Sequence, residues 1–375
     1  MFERAGAILI KEFKQIFRDP RMKTVIFVTP LLQIILFGYA ANRDITYVPT
    51  AIYDQDNTSQ SRELLRQFTF SKYFVPVRYI YNGSAQNDVL DKAQASVVIR
   101  IDRGFGRDLN AGKNVNIQLA FDGSDSNTTM VVMGYANTIV SNYQYALMQE
   151  KVEAAGWTST LPSIDLRDRA WFNGNLISRN FYLPGVIATI VTMMSLLLTA
   201  MAIVKEKEIG TMEQLTVSPL KPIELIIGKL LPFGVISLIQ ITLITILGVL
   251  WFHIPLRGSI LLLLLSTCIY LFTTLGIGLF ISTISSTQQE AMMSVFLFYM
   301  PTILLSGFAY PIGNMPQIIQ WFTYINPLRY FLVVIRGIFL KGVGIDILWP
   351  QLVPLLVMGF LVISLSALKF RKSLS

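Results

Sequence analysis

Between two runs without any charge, Phe181 to Val204 and Leu230 to Phe252, the chain reads KEKEIGTMEQLTVSPLKPIELIIGK from Lys205 to Lys229. Eight charges fall in those twenty-five residues, and Glu206, Glu208 and Glu213 alternate with Lys205 and Lys207. Side chains of both signs at this density can offer ion pairs to a groove on another protein, or can be solvated as a loop that only fixes topology. They spell no bond-making chemistry. Gly228-Lys229 is followed by leucine and lacks the upstream glycine of a phosphate cradle, and no G-x-x-x-x-G-K-[ST] occurs in the chain. Energy for any work must come from elsewhere or from an ion gradient.

Other reactive residue types are scarce. His253 and Cys268 are each the single representative of their kind, so no disulfide framework or zinc cluster can be written, and His253 reads as an interfacial residue at a helix end. Asp54, Asp56, Asp122 and Asp125 could be drawn as a cation site, although acidic turns at strand ends are commoner. No paired catalytic carboxylates or Ser/His/Asp set is apparent. The expectation is a protein without catalytic residues, resident metal or directly bound cofactor.

The elements that must hold these residues are membrane helices. The chain has 375 residues, 53% hydrophobic and only 14% charged, against about 25% charged in soluble domains. A helix needs about 20 apolar residues to cross about 30 Å of hydrocarbon. Apolar runs predict an α-helical polytopic membrane protein with six spans, at 24–41, 181–204, 223–252, 258–283, 291–311 and 347–368. The flank of the first run is a twenty-residue amphipathic segment and no small-residue cleavage site follows, so it reads as a retained span rather than a signal peptide. Residues 1–23, 205–229 and the tail 369–375 hold thirteen Lys/Arg, whereas the short loops on the other side hold four, Arg257, Arg329, Arg336 and Lys341. That asymmetry puts both termini in the cytoplasm. The net charge of +8 is then a topology signal and not a nucleic-acid footprint.

Residues 42–178 look like an inserted extracytoplasmic α/β domain. Strand-like stretches at 46–53, 73–81, 95–101 and 115–121 alternate with helical ones at 59–68, 84–94 and from about 128 to 155, joined by Asp-, Asn- and Gly-rich turns. Fourteen basic and fourteen acidic residues cancel over 43–180.

In residues 1–20 apolar side chains recur at Phe2, Ala5, Leu9, Phe13, Ile16 and Phe17, with Lys11, Lys14, Gln15 and Arg18 on the other face. This spacing predicts a helix in the inner interface plane, either a plain anchor or a lever gripped by a cytoplasmic partner. Residues 312–345 form an outer segment, and prolines at 301, 311, 316 and 327 predict two short re-entrant helices on either side of residues 324–327. Phe308, Tyr310, Trp321, Phe322 and Tyr324 could form an apolar outer gate there, or an interfacial aromatic belt.

The stretch KEKEIGTMEQLTVSPLKPIELIIGKLLP resembles the cytoplasmic signature of ABC-2 type ABC transporter permeases, in which E-x-E-x-G-T-x-E-Q-L precedes S-P-L. KEFKQIFRDPR, AWFNGN (170–175), STQQEA (286–291) and MPQIIQWFTYINPLRYF (315–331) extend the likeness to nearly the whole chain, on the pattern of the YbhS/YbhR-like bacterial efflux permeases. Gly174 departs from a proline frequent there. The resemblance implies the transmembrane subunit of an efflux system in the bacterial cytoplasmic (inner) membrane, dimeric with a second copy or a paralogue. A separate cytoplasmic ABC ATPase would bind ATP and Mg, with 205–222 as the coupling helix loop and Glu206, Glu208, Gly210, Thr211, Glu213 and Gln214 at the contact. It also implies hydrophobic drug or lipid-like cargo and allows a periplasmic membrane-fusion adaptor. Two alternatives stay open: a mechanical transmitter that drives a periplasmic partner, and an ion-coupled carrier, against which the absence of mid-span ionisable residues argues.

Overall fold

The first apolar run is not one continuous α-helix, and a proline is the reason. The computed structural model describes residues 2–40, 45, 47–83, 85–154, 171–173, 177–210 and 222–374. It opens with α1 (Phe2–Arg18) and a single turn, α2 (Pro20–Lys23), followed by a π-turn at Thr24–Val28 and α3 (Thr29–Ala40). Pro30 has no N–H to offer the carbonyl of Ile26. Gln240 supplies the missing donor, its Nε2 lying 2.6 Å from that oxygen, while the N–H of Thr29 reaches back five residues to Thr24. An orphan carbonyl in an apolar setting costs several kcal/mol, so such a wide turn needs a partner of this kind.

Two compact units are present, Met1–Arg43 with Arg169–Ser375, and Asp44–Asp168. The first centres on α8 (Ser178–Ile209), which is apolar all round and buried from Leu183 to Val204 with few gaps. Around it stand α9 (Pro222–Phe252), α10 (Ile260–Ile284), α11 (Gln288–Leu304), α12 (Gln317–Thr323), α13 (Pro327–Arg336) and α14 (Ile345–Leu374). Polar side chains tie these helices together inside the apolar core. Thr192 and Tyr270 share a hydrogen bond of 2.5 Å and Ser195 donates to Thr274 at 2.9 Å, while Tyr270 stacks flat on Phe331 at 4.1 Å. At Gly278 an added Cβ would stand 2.9 Å from Thr199, so α8 and α10 approach almost backbone to backbone.

Four helices are long and apolar enough to cross a membrane: Ser178–Ile209, Ile226–Phe252, Ile260–Ile284 and Ile345–Lys369. A fifth is obtained if Gln317–Thr323 and Pro327–Lys341, bent by 79°, count as one span. The six full-length spans expected from apolar runs are therefore not all present among the described residues. Thr24–Ala40 is a shorter apolar helix. The run at 291–311 yields the 17-residue α11, which stops at Leu304 ahead of Gly307, whose φ of +84° no helix accommodates.

The second unit is a four-stranded sheet, β1 (Val48–Asp54), β2 (Phe74–Tyr79), β3 (Val97–Ile101) and β4 (Ile117–Phe121), ordered β2-β1-β3-β4. β1 runs parallel to β2 and β3, and β4 is antiparallel to β3. Strand alternation divides its core. Val97, Ile99 and Ile101 join Leu64, Phe68 and Val132 on one face, and Val98 joins Ala51, Tyr53 and Val89 on the other. Helices α4 (Ser59–Phe70), α5 (Ala85–Asp91), α6 (Phe105–Asn110) and α7 (Ser126–Ala154) complete the unit.

Candidate functional site

Four consecutive charged residues end α8, and each is bound to a different part of the helical unit. Lys205 pairs with Asp19, just beyond α1, at 4.0 Å. Glu206 is buried, 6% exposed; its Oε1 accepts from Lys11 Nζ of α1 at 3.0 Å and its Oε2 pairs with Lys229 of α9. Lys207 Nζ donates to the carbonyls of Ser282 (2.6 Å) and Ser285 (3.3 Å), where α10 ends. Glu208, at the surface, accepts the N–H of Gln288 at 2.7 Å and also its side-chain amide, where α11 begins. The signs follow helix polarity, a cation at the carbonyl end of α10 and a carboxylate at the N–H end of α11. Gly210, with φ +78°, then closes α8 in the left-handed conformation that a side chain would strain.

Glu206 is the centre of this junction. Lys229, 2% exposed, would be a buried charge without its directly paired carboxylate if Glu206 were absent. Glu12 of α1 (6% exposed) and Glu224 of α9 (4%) are buried as well. Burial pushes the Glu12 carboxyl above its usual value; nearby Lys229 opposes that shift and Glu206 adds to it. The buried pairing of Glu206 with Lys11 and Lys229 contributes little net stability but fixes one relative position of the three helices, because separating them strands a charge.

The residues singled out by sequence are thus placed unevenly. Glu206 and Glu208 make contacts within the chain, and Glu206 is turned away from any outer face. Thr211, Glu213 and Gln214 lie outside the described residues. Lys11, Lys14 and Arg18 are exposed on α1, and Lys11 alone of them reaches the junction. Phe308 is half-buried, edge-on to Tyr182 at 6.5 Å and packed over Gly185. Tyr310, Trp321, Phe322 and Tyr324 are exposed, Tyr324 beneath the Arg329 guanidinium at 4.0 Å, and the five aromatics form no cluster among the described contacts. His253 directly follows α9 with φ +55°. In the sheet unit, Asp56 accepts from Gly104 (2.7 Å), Gly106 (2.8 Å) and Thr58 (2.6 Å), and Asp54 from Ser61 (2.7 Å), so both carboxylates staple a turn. Sequence reasoning passed over Glu12 and Gln240 and read Lys229 as part of a failed phosphate motif, whereas it is buried against Glu206. For Lys229 and Gln240 the signal available was a charge or amide set within an apolar stretch.

Residues 23–368 match a family model described as ABC-2 family transporter protein. Over 357 residues, 95% of either chain, the sequence is 35% identical to the probable multidrug ABC transporter permease YbhR of Escherichia coli strain K12. The probable multidrug ABC transporter permease YbhS of the same strain is 32% identical over 380 residues, all of this chain and 98% of that one. The inner membrane transport permease YhhJ, also from that strain, is 29% identical over 370 residues, 97% of this chain and 96% of its own.

Proposed function

The chain belongs to the ABC-2 transporter family, and on that premise we propose that it is the permease subunit of an exporter driven by a separate cytoplasmic ATPase. One observation carries the proposal: the charged end of α8 holds α1, α9, α10 and α11 together immediately before residues 211–221. A force applied to that segment by a partner is delivered to five helices at once. Thr211, Glu213 and Gln214 are assigned to the ATPase contact, and Glu206 and Glu208 to passing its motion inward. The exposed basic face of α1, with Lys14 and Arg18, is a second grip for the same partner.

In this reading the protein lies in the inner membrane with both termini in the cytoplasm and the sheet unit on the opposite side, where an adaptor could dock. Two copies, or this chain and a paralogue, enclose a path lined by α3, α8 and α11. Cargo is assigned as hydrophobic and drug- or lipid-like, in keeping with the names of YbhR and YbhS and with the apolar helices. Shifting such a path from 1:99 to 99:1 outward-facing takes about 5.5 kcal/mol of differential binding, within reach of paired ATP sites.

The test is copurification with the cognate ATPase, reconstitution in lipid, and a screen for compounds that stimulate ATP hydrolysis. Stimulation by hydrophobic drug-like or lipid-like compounds, lost in Glu213→Lys without loss of membrane insertion, is expected. Cargo movement down an ion gradient by the chain alone would overturn the proposal.

A further inference from the structure

An apolar groove of ≈ 670 Å³ runs between α10, α11 and α14, a volume in the range that takes one small molecule. Ile277, Ile281 and Ile284 line one side, and Leu297, Leu361 and Leu365 the others. Thr273 also lines it, but its hydroxyl is spent on the carbonyl of Leu355 at 2.8 Å. On α10 the lining extends from Thr273 to Ile284, about 16 Å at 1.5 Å per residue, which is the depth of one leaflet of a hydrocarbon core about 30 Å thick. Ile325 and Pro327, at the bend between α12 and α13, line it as well.

One end lies beside the charged junction. Lys369 Nζ stands 5.4 Å from the ring centre of Phe280, a lining residue, and is exposed. Lys207 Nζ sits on the carbonyls of Ser282 and Ser285 at the same end. Glu290 is the carboxylate that acts on Lys207 there, and it also accepts the N–H of Ser286 at 2.7 Å. Glu208, on the N–H of Gln288 at the same end, brings the described charges there to two ammonium groups and two carboxylates. Lys369 is the exposed cation that stands against the lining. An apolar slot of one-leaflet depth with an exposed lysine against its lining at the mouth complements an acyl chain ending in an anionic head group.

We propose that this groove is a resident site for one anionic phospholipid of the leaflet that meets the charged junction, with an acyl chain between α10 and α14 and the phosphate at Lys369. The site goes beyond the export reading and takes only its membrane orientation from it. A lipid there fills the groove beside the ends of α10 and α11 and supports the helices that Lys207 and Glu208 bind.

The full-length protein in detergent is titrated with phosphatidylglycerol and, separately, phosphatidylethanolamine, and retained lipid is counted by native mass spectrometry. One tightly held phosphatidylglycerol is expected, preferred by about fivefold, the factor one lysine supplies near anionic lipid. Lys369→Gln should abolish the preference and leave phosphatidylethanolamine retention unchanged. Ser294→Trp, which fills the groove, should reduce both; if that variant misfolds, Lys369→Gln at the surface still decides. Equal retention of the two lipids, a preference that survives Lys369→Gln, or disulfide capture of a second copy at Ser294→Cys would each overturn the site. A protein that exports with its ATPase yet shows no lipid preference overturns the lipid site alone.

Discussion

Glu206 is shared by two lysines from different helices, and the sharing makes its loss expensive. Glu206→Gln leaves Lys229 buried without its paired carboxylate, so a loss of about 3–5 kcal/mol is expected, read as a fall in thermal midpoint in detergent. The double variant Glu206→Lys/Lys229→Glu restores that pair while setting Lys11 against a like charge, and should recover only part of the loss. Full additivity of the two single losses would mean that the pair is not coupled. Glu12 gives a pH signature. Its folded pKa lies above the ordinary 4.5, chiefly through burial, so the docked helix binds the proton more tightly than the undocked one. The contribution of Glu12 to docking α1 is then fully present below that ordinary value and is lost as pH rises through the raised one. Glu206, held below its ordinary value against its burial by Lys229 and Lys11, contributes with the opposite sign at lower pH. Hydrogen-exchange protection over α1, corrected for the intrinsic rise of exchange with pH, should fall between the two Glu12 limits, and Glu12→Gln should flatten that fall. A profile identical in the variant would remove Glu12 as its source.

At the scale of elements, the π-turn of the first apolar helix stands on a single side chain from another helix. Gln240→Leu leaves the Ile26 carbonyl unpaired, and a loss of about 1–3 kcal/mol is expected for a buried acceptor stripped of its donor. Adding Pro30→Ala returns a backbone N–H at the α-helical position and should recover most of it. If the double variant is as unstable as Gln240→Leu alone, the turn is held by something other than that missing donor. This part of the structure was only half legible in the sequence. Apolar runs reveal α8, α9, α10 and α14 because each is apolar over a full span. Pro30 turns the start of the run at 24–41 into a π-turn and Gly307 ends the helix over 291–311 early, backbone effects that hydropathy does not register. The bend between α12 and α13 was written more openly, by Pro327 after Asn326, whose side chain accepts the N–H of Leu328 at 3.0 Å.

At the scale of the whole molecule, the two units carry separate cores, and the sheet unit should fold when residues 44–168 are expressed alone. A single cooperative melt by circular dichroism is expected. Phe68→Ala, which deletes a 1%-exposed ring set edge-on to Phe74 at 5.1 Å, should cost it about 3–5 kcal/mol. An excised unit that shows no cooperative transition would mean that its core depends on the rest of the chain. The strands were legible because β-branched runs sit between turn residues. The junction was not, since Lys11 lies 195 residues from Glu206, and the pairing of Glu206 with Lys229 across the 205–229 stretch follows no periodicity. One consequence of the π-turn remains at this scale. An α-helix advances about 1.5 Å and rotates about 100° per residue. Pro30 cannot donate to the Ile26 carbonyl, but were the N–H of Thr29 to move from Thr24 to Val25, its α-helical partner, the five-residue loop would tighten by one position. Everything upstream, Lys11 included, would then swing about its axis by more than a quarter of a circle, so the exchange of one hydrogen bond is geared to a rotation of the whole amino-terminal helix.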